Sequence, residues 1–179
     1  MEDILDQNGI PFLLSSDGTT IFGNILADTG LTPAPIKLSR GFNIIDGFGY
    51  NHGYGLLHIE AGHGQQILNA GYSSIEAFVE NVAKHYDTIR EGYLIGTEQT
   101  YLLELKDSHN NTLFIELSRD GSYWNVNSAG IFREKYSRNK KKVASIPEVG
   151  ESASAGASEV DNGLIEGETA PTGNSSVTF

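Results

Sequence analysis

The sequence predicts an α+β fold in which N-terminal helices pack on one face of a roughly four-stranded antiparallel β-sheet. From about residue 90 onward, apolar and polar residues alternate with period two, which is typical of half-buried strands. Before that point, residues 54–69 and 74–86 repeat apolar residues at helical spacing. We therefore expect two helices that precede the sheet and cover its apolar face.

The two predicted helices carry different signals. In the first, the apolar stripe is expected to centre on Leu57, Ala61, Gly64 and Leu68. The second has Ser73 before its first turn and Glu76 three residues later, which is the spacing of a capping box. One apolar stripe of the second helix consists of Ile75, Phe78, Val79 and Val82.

The strands are predicted in the stretches "TYLLELK", "TLFIELS" and "YWNVNS". Asp120-Gly121 lies between the last two and is a strong signal for a two-residue hairpin loop. This loop predicts the cross-strand pairs Leu117–Trp124, Glu116–Asn125 and Ile115–Val126. Across the "DSHNN" loop, the expected pairs are Leu105–Leu113 and Leu103–Ile115.

Three segments of different composition follow one another along the chain. Residues 1–34 are expected to form an N-terminal arm with one short strand at 19–25, and residues 35–137 form the α+β body. Residues 138–179 are expected to be a basic segment followed by a disordered acidic tail. The net charge is −11, yet residues 131–143 hold six bases and one acid, while 144–179 hold six acids and no base. A basic segment of this kind can bind phosphate.

Composition excludes several classes of protein. Cysteine is absent, so disulfides and thiol chemistry are excluded. The start of the chain does not read as a secretory signal, and no stretch approaches the roughly 20 apolar residues that a membrane helix needs. We therefore expect a cytoplasmic protein with no membrane partner.

The stretch "GLLHIEAGHG" places His58 and His63 five residues apart on the first helix. An unbroken helix would separate them by about 140°, although Gly62 and Gly64 could allow a kink. The spacing is not that of the HExxH zinc motif, so no metal or cofactor is expected. Two interpretations of these histidines stay open. They are structural residues at the helix edge, or they form a pair that transfers protons near neutral pH.

Cleavage of RNA through its own 2′-hydroxyl suits such a pair. One group removes the hydroxyl proton and another protonates the leaving 5′-oxygen, without metal or cofactor. A single histidine with a carboxylate such as Glu116 could serve as well. The polar face of the predicted sheet is either solvated or a platform on which Tyr123 and Phe114 stack bases.

The segments "APIKLSRG", "GYGLLHIEAGHG", "GYSSIEAFVENVAKHYDTIREG" and "DGSYWNVNSAGIFREKY" occur in an order that resembles a known family. They resemble the phage-borne barnase–EndoU–colicin–RelE-like (BECR fold) nuclease domains of mobile-element polyvalent proteins. The resemblance covers about residues 34–137. It implies the α+β fold given above and a metal-independent endoribonuclease, toxin-like, that leaves a 2′,3′-cyclic phosphate.

The resemblance also implies roles for individual residues. His58 and His63 match the histidines of the helical motif, and Asn127 and Ser128 complete the candidate catalytic set. RNA-binding candidates are Arg40, Tyr123, Asn125 and Arg133. The implied partners are RNA (tRNA or mRNA), a neutralising protein and other domains of a larger polypeptide, in the cytoplasm of a bacterial host.

Two alternatives to a ribonuclease remain. The first is a catalytically inactive RNA- or protein-binding module on the same fold, which the acidic composition favours. The second is an acid–base enzyme that acts on a small nucleotide. The glycine-rich stretch "GFGYNHGYG" lacks the Lys-Ser/Thr of a P-loop, so it gives this last alternative little support.

Overall fold

The structure, a computed structural model, describes residues 4–5 and 9–147. None of the helices among these residues is long and apolar enough to span a bilayer. The helices are α1 (Gly55–Asn69), α2 (Ile75–His85) and α3 (Glu134–Ser137), with a 3₁₀ turn at Ala27–Thr29. The strands are β1 (Ile4–Leu5), β2 (Pro11–Phe12), β3 (Gly23–Ile25), β4 (Ala34–Lys37), β5 (Phe42–Ile45), β6 (Asn51–Tyr54), β7 (Thr88–Ile95), β8 (Glu98–Lys106), β9 (Asn110–Leu117), β10 (Trp124–Ile131) and β11 (Lys142–Ser145).

Seven strands form one curled mixed sheet in the order β11–β7–β8–β9–β10–β4–β3, in which β10 and β4 run parallel. The predicted architecture, N-terminal helices on a four-stranded antiparallel sheet, is therefore wrong. β3 and β4 precede the helices, β11 follows the meander of β7–β10, and all three extend the same sheet. β3 falls within the strand predicted at 19–25, and β4 overlaps the short strand that "PIKLSRG" predicts, but the pairing of these strands was not predicted. Strands of three or four residues carry too little pattern to show which strand they pair with. The strands β1–β2 and β5–β6 form two separate two-stranded pairs.

The register of the meander follows the loops that join its strands. Around Asp120-Gly121 the three predicted pairs are confirmed, with Leu117 opposite Trp124, Glu116 opposite Asn125 and Ile115 opposite Val126. Between β8 and β9 the prediction is wrong by two residues, because Leu103 lies opposite Leu113 rather than Ile115. A shift of two preserves which face each side chain occupies, so the apolar face was still assigned correctly.

The core lies between this apolar face and the two long helices. α2 presents its predicted stripe to the core, and its N-cap is Ser74, whose hydroxyl accepts the Ala77 amide at 3.1 Å, rather than Ser73. The predicted stripe of α1 is wrong, because Leu57 and Leu68 are exposed. The core contains Ile59, Ile67, Phe78, Val79, Val82, Leu103, Leu113, Ile115, Val126 and Ala129.

Both ends of the described chain contribute to the same unit. Leu13, Phe22 and Ile25, in the stretch expected to be an arm, are buried in the core cluster with the helices. β11 pairs with β7. The predicted acidic tail begins at the edge of the described chain, and residues 148–179 lie outside it.

A buried ion pair joins three strands on the face of the sheet away from α2. The Arg90 Nε donates to the Glu104 carboxylate at 2.6 Å, and Glu104 is fully buried. The Asn110 amide donates to the same carboxylate at 3.3 Å, and Arg90 also donates to the Lys140 carbonyl oxygen at 3.2 Å. This pair therefore ties β7, β8 and β9 to the segment that follows α3.

We predict that Arg90→Leu lowers the free energy of unfolding by about 3–5 kcal/mol, because it leaves a buried carboxylate without its cation. Urea unfolding of the full chain measures the change. The matched control is Lys141→Met, which removes the cation of an exposed pair with Glu91 and is expected to leave the free energy of unfolding nearly unchanged. Equal losses in the two variants would contradict the structural role of Arg90.

Candidate active site

α1 lies along a part of β10 that has no strand on that side. β4 pairs with β10 only at Trp124 and Asn125. Farther along, the Gln66 side chain of α1 donates to the Ile131 carbonyl oxygen at 2.8 Å and accepts from the Ile131 amide at 3.3 Å. A primary amide offers the same donor and acceptor as a peptide group, so Gln66 takes the place of a strand residue.

The start of α1 is held by the segment that follows β4. The Leu56 amide donates to the Ser39 carbonyl oxygen at 3.0 Å, and the Leu57 amide donates to the Arg40 carbonyl oxygen at 3.1 Å. Gly55 has φ of +74°, and a Cβ there would lie 2.5 Å from the Ser39 carbonyl oxygen. Only glycine fits this approach without strain. Arg40, predicted to bind RNA, thus lies directly beside the first turn of α1.

His58 is half-buried on α1 and faces β5. Its Nδ1 lies 3.1 Å from the Asn43 Oδ1, which can only accept a hydrogen bond. The proton of the neutral imidazole is therefore on Nδ1, and the Nε2 lone pair is left to accept another proton. Burial, followed by the positive charges of His63 and His52, lowers the pKa of His58 below 6.5.

His63 faces the far end of β10. Its ring packs edge-on against Phe132 with 5.3 Å between ring centres. It also lies over Gly130, where a Cβ would be only 3.0 Å from the His63 Cγ. Burial lowers the pKa of His63, and a hydrogen bond with Gln66 partly opposes that change.

The structure brings the two histidines into the same neighbourhood without direct contact. They face different partners, as the helical spacing predicts, yet the charge of His63 is close enough to lower the pKa of His58. Within residues 4–5 and 9–147, no cluster of three or more His, Cys, Asp or Glu side chains could hold a metal ion. His52 is bound separately, with its Nε2 2.8 Å from the Asp46 carboxylate.

A β-bulge places two amide side chains on the same face of β10. Asn127 is the additional residue between Val126 and Ser128. The Asn125 Nδ2 donates to the Asn127 Oδ1 at 2.7 Å, and the Asn127 Nδ2 donates to the Glu116 carboxyl at 2.6 Å. Ser128 lies opposite Phe114 on β9, so it shares the polar face.

These amides line a cleft of about 750 Å³ on the side of the sheet opposite α2. Its walls include Ser39, Tyr54, Glu98, Glu116, Tyr123, Asn125 and Asn127. Burial, followed by a hydrogen bond with the Glu98 carboxyl, raises the pKa of Glu116, while the Asn127 bond opposes the rise. The Ser39 Oγ and the Asn125 Oδ1 are buried and have no hydrogen-bond partner among the described residues.

The cleft and the histidines lie along the same strand. Asn127 lines the cleft, and Gly130, three residues farther on, contacts His63. Three residues of extended strand span about 10 Å. That distance is comparable to one or two nucleotide steps of a single strand, so one extended ligand along β10 could contact both.

The remaining predicted residues lie at the two ends of β10. Tyr123 lines the cleft, and its ring packs edge-on against Phe12 with 5.1 Å between ring centres. Arg133 is the N-cap of α3 and follows Phe132, which contacts His63. Arg133 therefore lies at the end of β10 that is near His63, within the basic segment 131–143.

Sequence reasoning missed Ser39, Tyr54 and Glu98. Glu116 was named only as a carboxylate that could assist a histidine. The true register pairs Thr100 with Glu116, which puts Glu98, two residues earlier on β8, on the same face beside it. The predicted register of β8 and β9 was wrong by two residues, and this error concealed the contact between the two carboxyls.

The fold and site together define a strand-rich domain in which a helix that carries two half-buried histidines lies beside an amide-lined cleft. Comparisons with protein-family models, with curated proteins and with solved structures find no match for this chain.

We predict that Gly130→Ala displaces the His63 ring, because the new Cβ would lie 3.0–3.2 Å from both the His63 and the Phe132 rings. The displaced ring becomes more solvated, so the pKa of His63 rises towards 6.5. A titration of the histidine ring signals by NMR measures this shift. Gly62→Ala is the control, because a Cβ at Gly62 meets no atom within 4 Å. An unchanged His63 titration in Gly130→Ala would contradict the contact.

Proposed function

We propose that the protein is a metal-independent endoribonuclease that cleaves RNA by transesterification at the 2′-hydroxyl. The observation that carries this proposal is that α1 holds two half-buried histidines, of which His63 lies over Gly130 of the amide-rich strand β10 and His58 lies against Asn43 of β5. The resemblance of residues 55–64 and 120–136 to phage-borne nuclease domains supports the same chemistry, although the seven-stranded sheet differs from the architecture that the resemblance implied.

In the proposed reaction, the Nε2 of neutral His58 accepts the proton of the ribose 2′-hydroxyl. The 2′-oxygen attacks phosphorus, and the bond from phosphorus to the 5′-oxygen breaks. Protonated His63 donates a proton to that leaving oxygen. The products are a 2′,3′-cyclic phosphate and a 5′-hydroxyl, and no metal or cofactor takes part. Because burial lowers the pKa of both histidines, their combined protonation states favour activity on the acidic side of pH 6.5.

The phosphate is held, in this proposal, by hydrogen bonds from Asn127 and Ser128, with Asn125 orienting Asn127. Such donors stabilise the charge that develops on the phosphoryl oxygens. Arg40 and Arg133 supply positive charge at the two ends of α1 and β10, and Tyr123 offers a face for a base. The basic segment that follows Arg133 continues this track. Single-stranded regions of tRNA or mRNA in the bacterial cytoplasm are the substrates that fit best.

A second candidate is a non-catalytic binding module for RNA or a protein. The observation that favours it is the β5–β6 hairpin, whose apolar side chains are exposed to an unusual degree. Phe48 is 89% exposed, and Ile44, Ile45 and Tyr50 are also largely exposed. An apolar patch of this kind is typical of a binding surface.

We predict that His58→Ala and His63→Ala each reduce the rate of RNA cleavage by about 10²–10⁴-fold, which is the rate enhancement that one general acid or base usually contributes. The measurement is incubation of the purified full chain with total RNA in EDTA at pH 6, followed by electrophoresis and analysis of the product ends. His85→Ala is the control, since His85 ends α2 and its Nδ1 lies 2.9 Å from the Asn81 carbonyl oxygen of the same helix.

Cleavage by the wild type and by His85→Ala, with cyclic phosphate ends, would support the ribonuclease. Cleavage that EDTA abolishes would overturn the metal-independent mechanism. Intact RNA with every protein, together with binding that His58→Ala leaves unchanged, would favour the binding module.

A further inference from the structure

The cleft end of β10 is strongly acidic. Glu98, Glu116 and Asp120 line it, and Arg119 is the one Lys or Arg among the lining residues that the structure describes. The Arg119 Nε lies 3.9 Å from the Glu98 carboxylate, and its side chain is almost fully exposed. These charges attract a cation to the acidic end, whereas the phosphate of the proposed reaction would lie farther along β10, towards Ser128 and the histidines.

The shape and polarity of the cleft match a planar cation. Carboxylates accept the paired N–H groups of a guanidinium, and the aromatic face of Tyr54 attracts its charge. The Tyr123 ring already has the Lys37 Nζ 5.3 Å from its centre, which shows that an aromatic ring of this wall attracts a cation. Ser39 is 2% exposed, and its Oγ has no partner among the described residues although the residue lines the cleft. A polar group of this kind is costly to bury unless a ligand bonds it.

The exposed hairpin continues directly into this cleft. Gly53 and Tyr54, the last residues of β6, form part of the cleft wall. Residues 42–54 contain no lysine or arginine, and their single acid, Asp46, is paired with His52. The exposed apolar side chains of the hairpin are Phe42, Ile44, Ile45, Phe48 and Tyr50. An apolar patch beside a charged pocket is the usual anatomy of a protein–protein interface.

We propose that the acidic cleft and the β5–β6 hairpin form one docking surface for a protein partner, which inserts an arginine side chain into the cleft and packs apolar side chains on the hairpin. RNA is disfavoured as the occupant because its phosphates meet carboxylates in the cleft and no cation on the hairpin. A partner seated there covers Asn125 and Asn127 and blocks the nuclease site. That regulatory consequence rests on the proposed function, whereas the docking surface does not.

The test uses the full chain and small capped probes. Acetyl-phenylalanyl-arginine amide is titrated while NMR follows the side-chain amides of Asn125 and Asn127. The same probe with citrulline in place of arginine keeps the shape and removes the charge, so we expect it to bind roughly tenfold more weakly. Replacing its phenylalanine with glycine removes the apolar group and should weaken binding by about fivefold.

Matched variants assign each half of the surface. Glu98→Gln should weaken the arginine probe by roughly tenfold. Asp28→Asn, which removes one charge outside the cleft, should change nothing. Phe48→Ser should abolish the advantage of phenylalanine over glycine, and its exposure makes a folding defect unexpected.

Equal binding of the arginine and citrulline probes would overturn the proposal. Two further results would also overturn it. Hairpin signals that respond to oligouridylate and not to the probe would assign the surface to RNA, and cleft and hairpin signals that shift with protein concentration alone would assign it to a second copy. Probe binding without RNA cleavage would refute the nuclease and leave the docking surface intact. RNA cleavage without probe binding would refute the docking surface and leave the nuclease intact.

Discussion

The structure depends on how the open edge of β10 is covered. β4 pairs with only the first two residues of that strand, and the chain then leaves the sheet to form the β5–β6 hairpin. The backbone groups farther along β10 would be unpaired, and α1 lies there instead, with the Gln66 amide bonding both backbone groups of Ile131. Backbone groups at the edge of a strand favour a hydrogen-bond partner, so these two bonds favour this position of α1 beside β10.

The candidate site is a consequence of that position. Because α1 runs beside β10, its His63 rests on Gly130 of that strand, while its His58 reaches Asn43 on β5. The bulge at Asn127 adds a second amide to that face and connects it to Glu116. Proton carriers at one end and an acidic cleft at the other thus share a single strand.

Local signals in the sequence predicted local structure well. The pairs predicted around Asp120-Gly121 are correct, although the turn itself is longer than two residues, since the Gly121 amide donates to the Ser118 carbonyl oxygen and the Ser118 amide donates to the Tyr123 carbonyl oxygen. The three-residue loop 107–109 carries its own side-chain hydrogen bond, from the His109 amide to Asp107, which the composition did not reveal. Non-local pairing was not predictable either, since β3, β4 and β11 are short and β4 meets β10 across most of the chain. The same error in register concealed Glu98, whereas Asn125 and Asn127 were found because they lie beside a predictable hairpin.

The central claim is that His58 and His63 contact RNA on β10, and the most direct measurement is a titration of all histidine rings with and without bound RNA. A 2′-O-methyl oligonucleotide binds without being cleaved, since its 2′-oxygen has no proton to lose. The account predicts that the nearby phosphate raises the pKa of His58 and His63. His85 at the end of α2 and His109 in the β8–β9 loop should not change. Unchanged pKa values for His58 and His63 at saturating oligonucleotide would contradict the account.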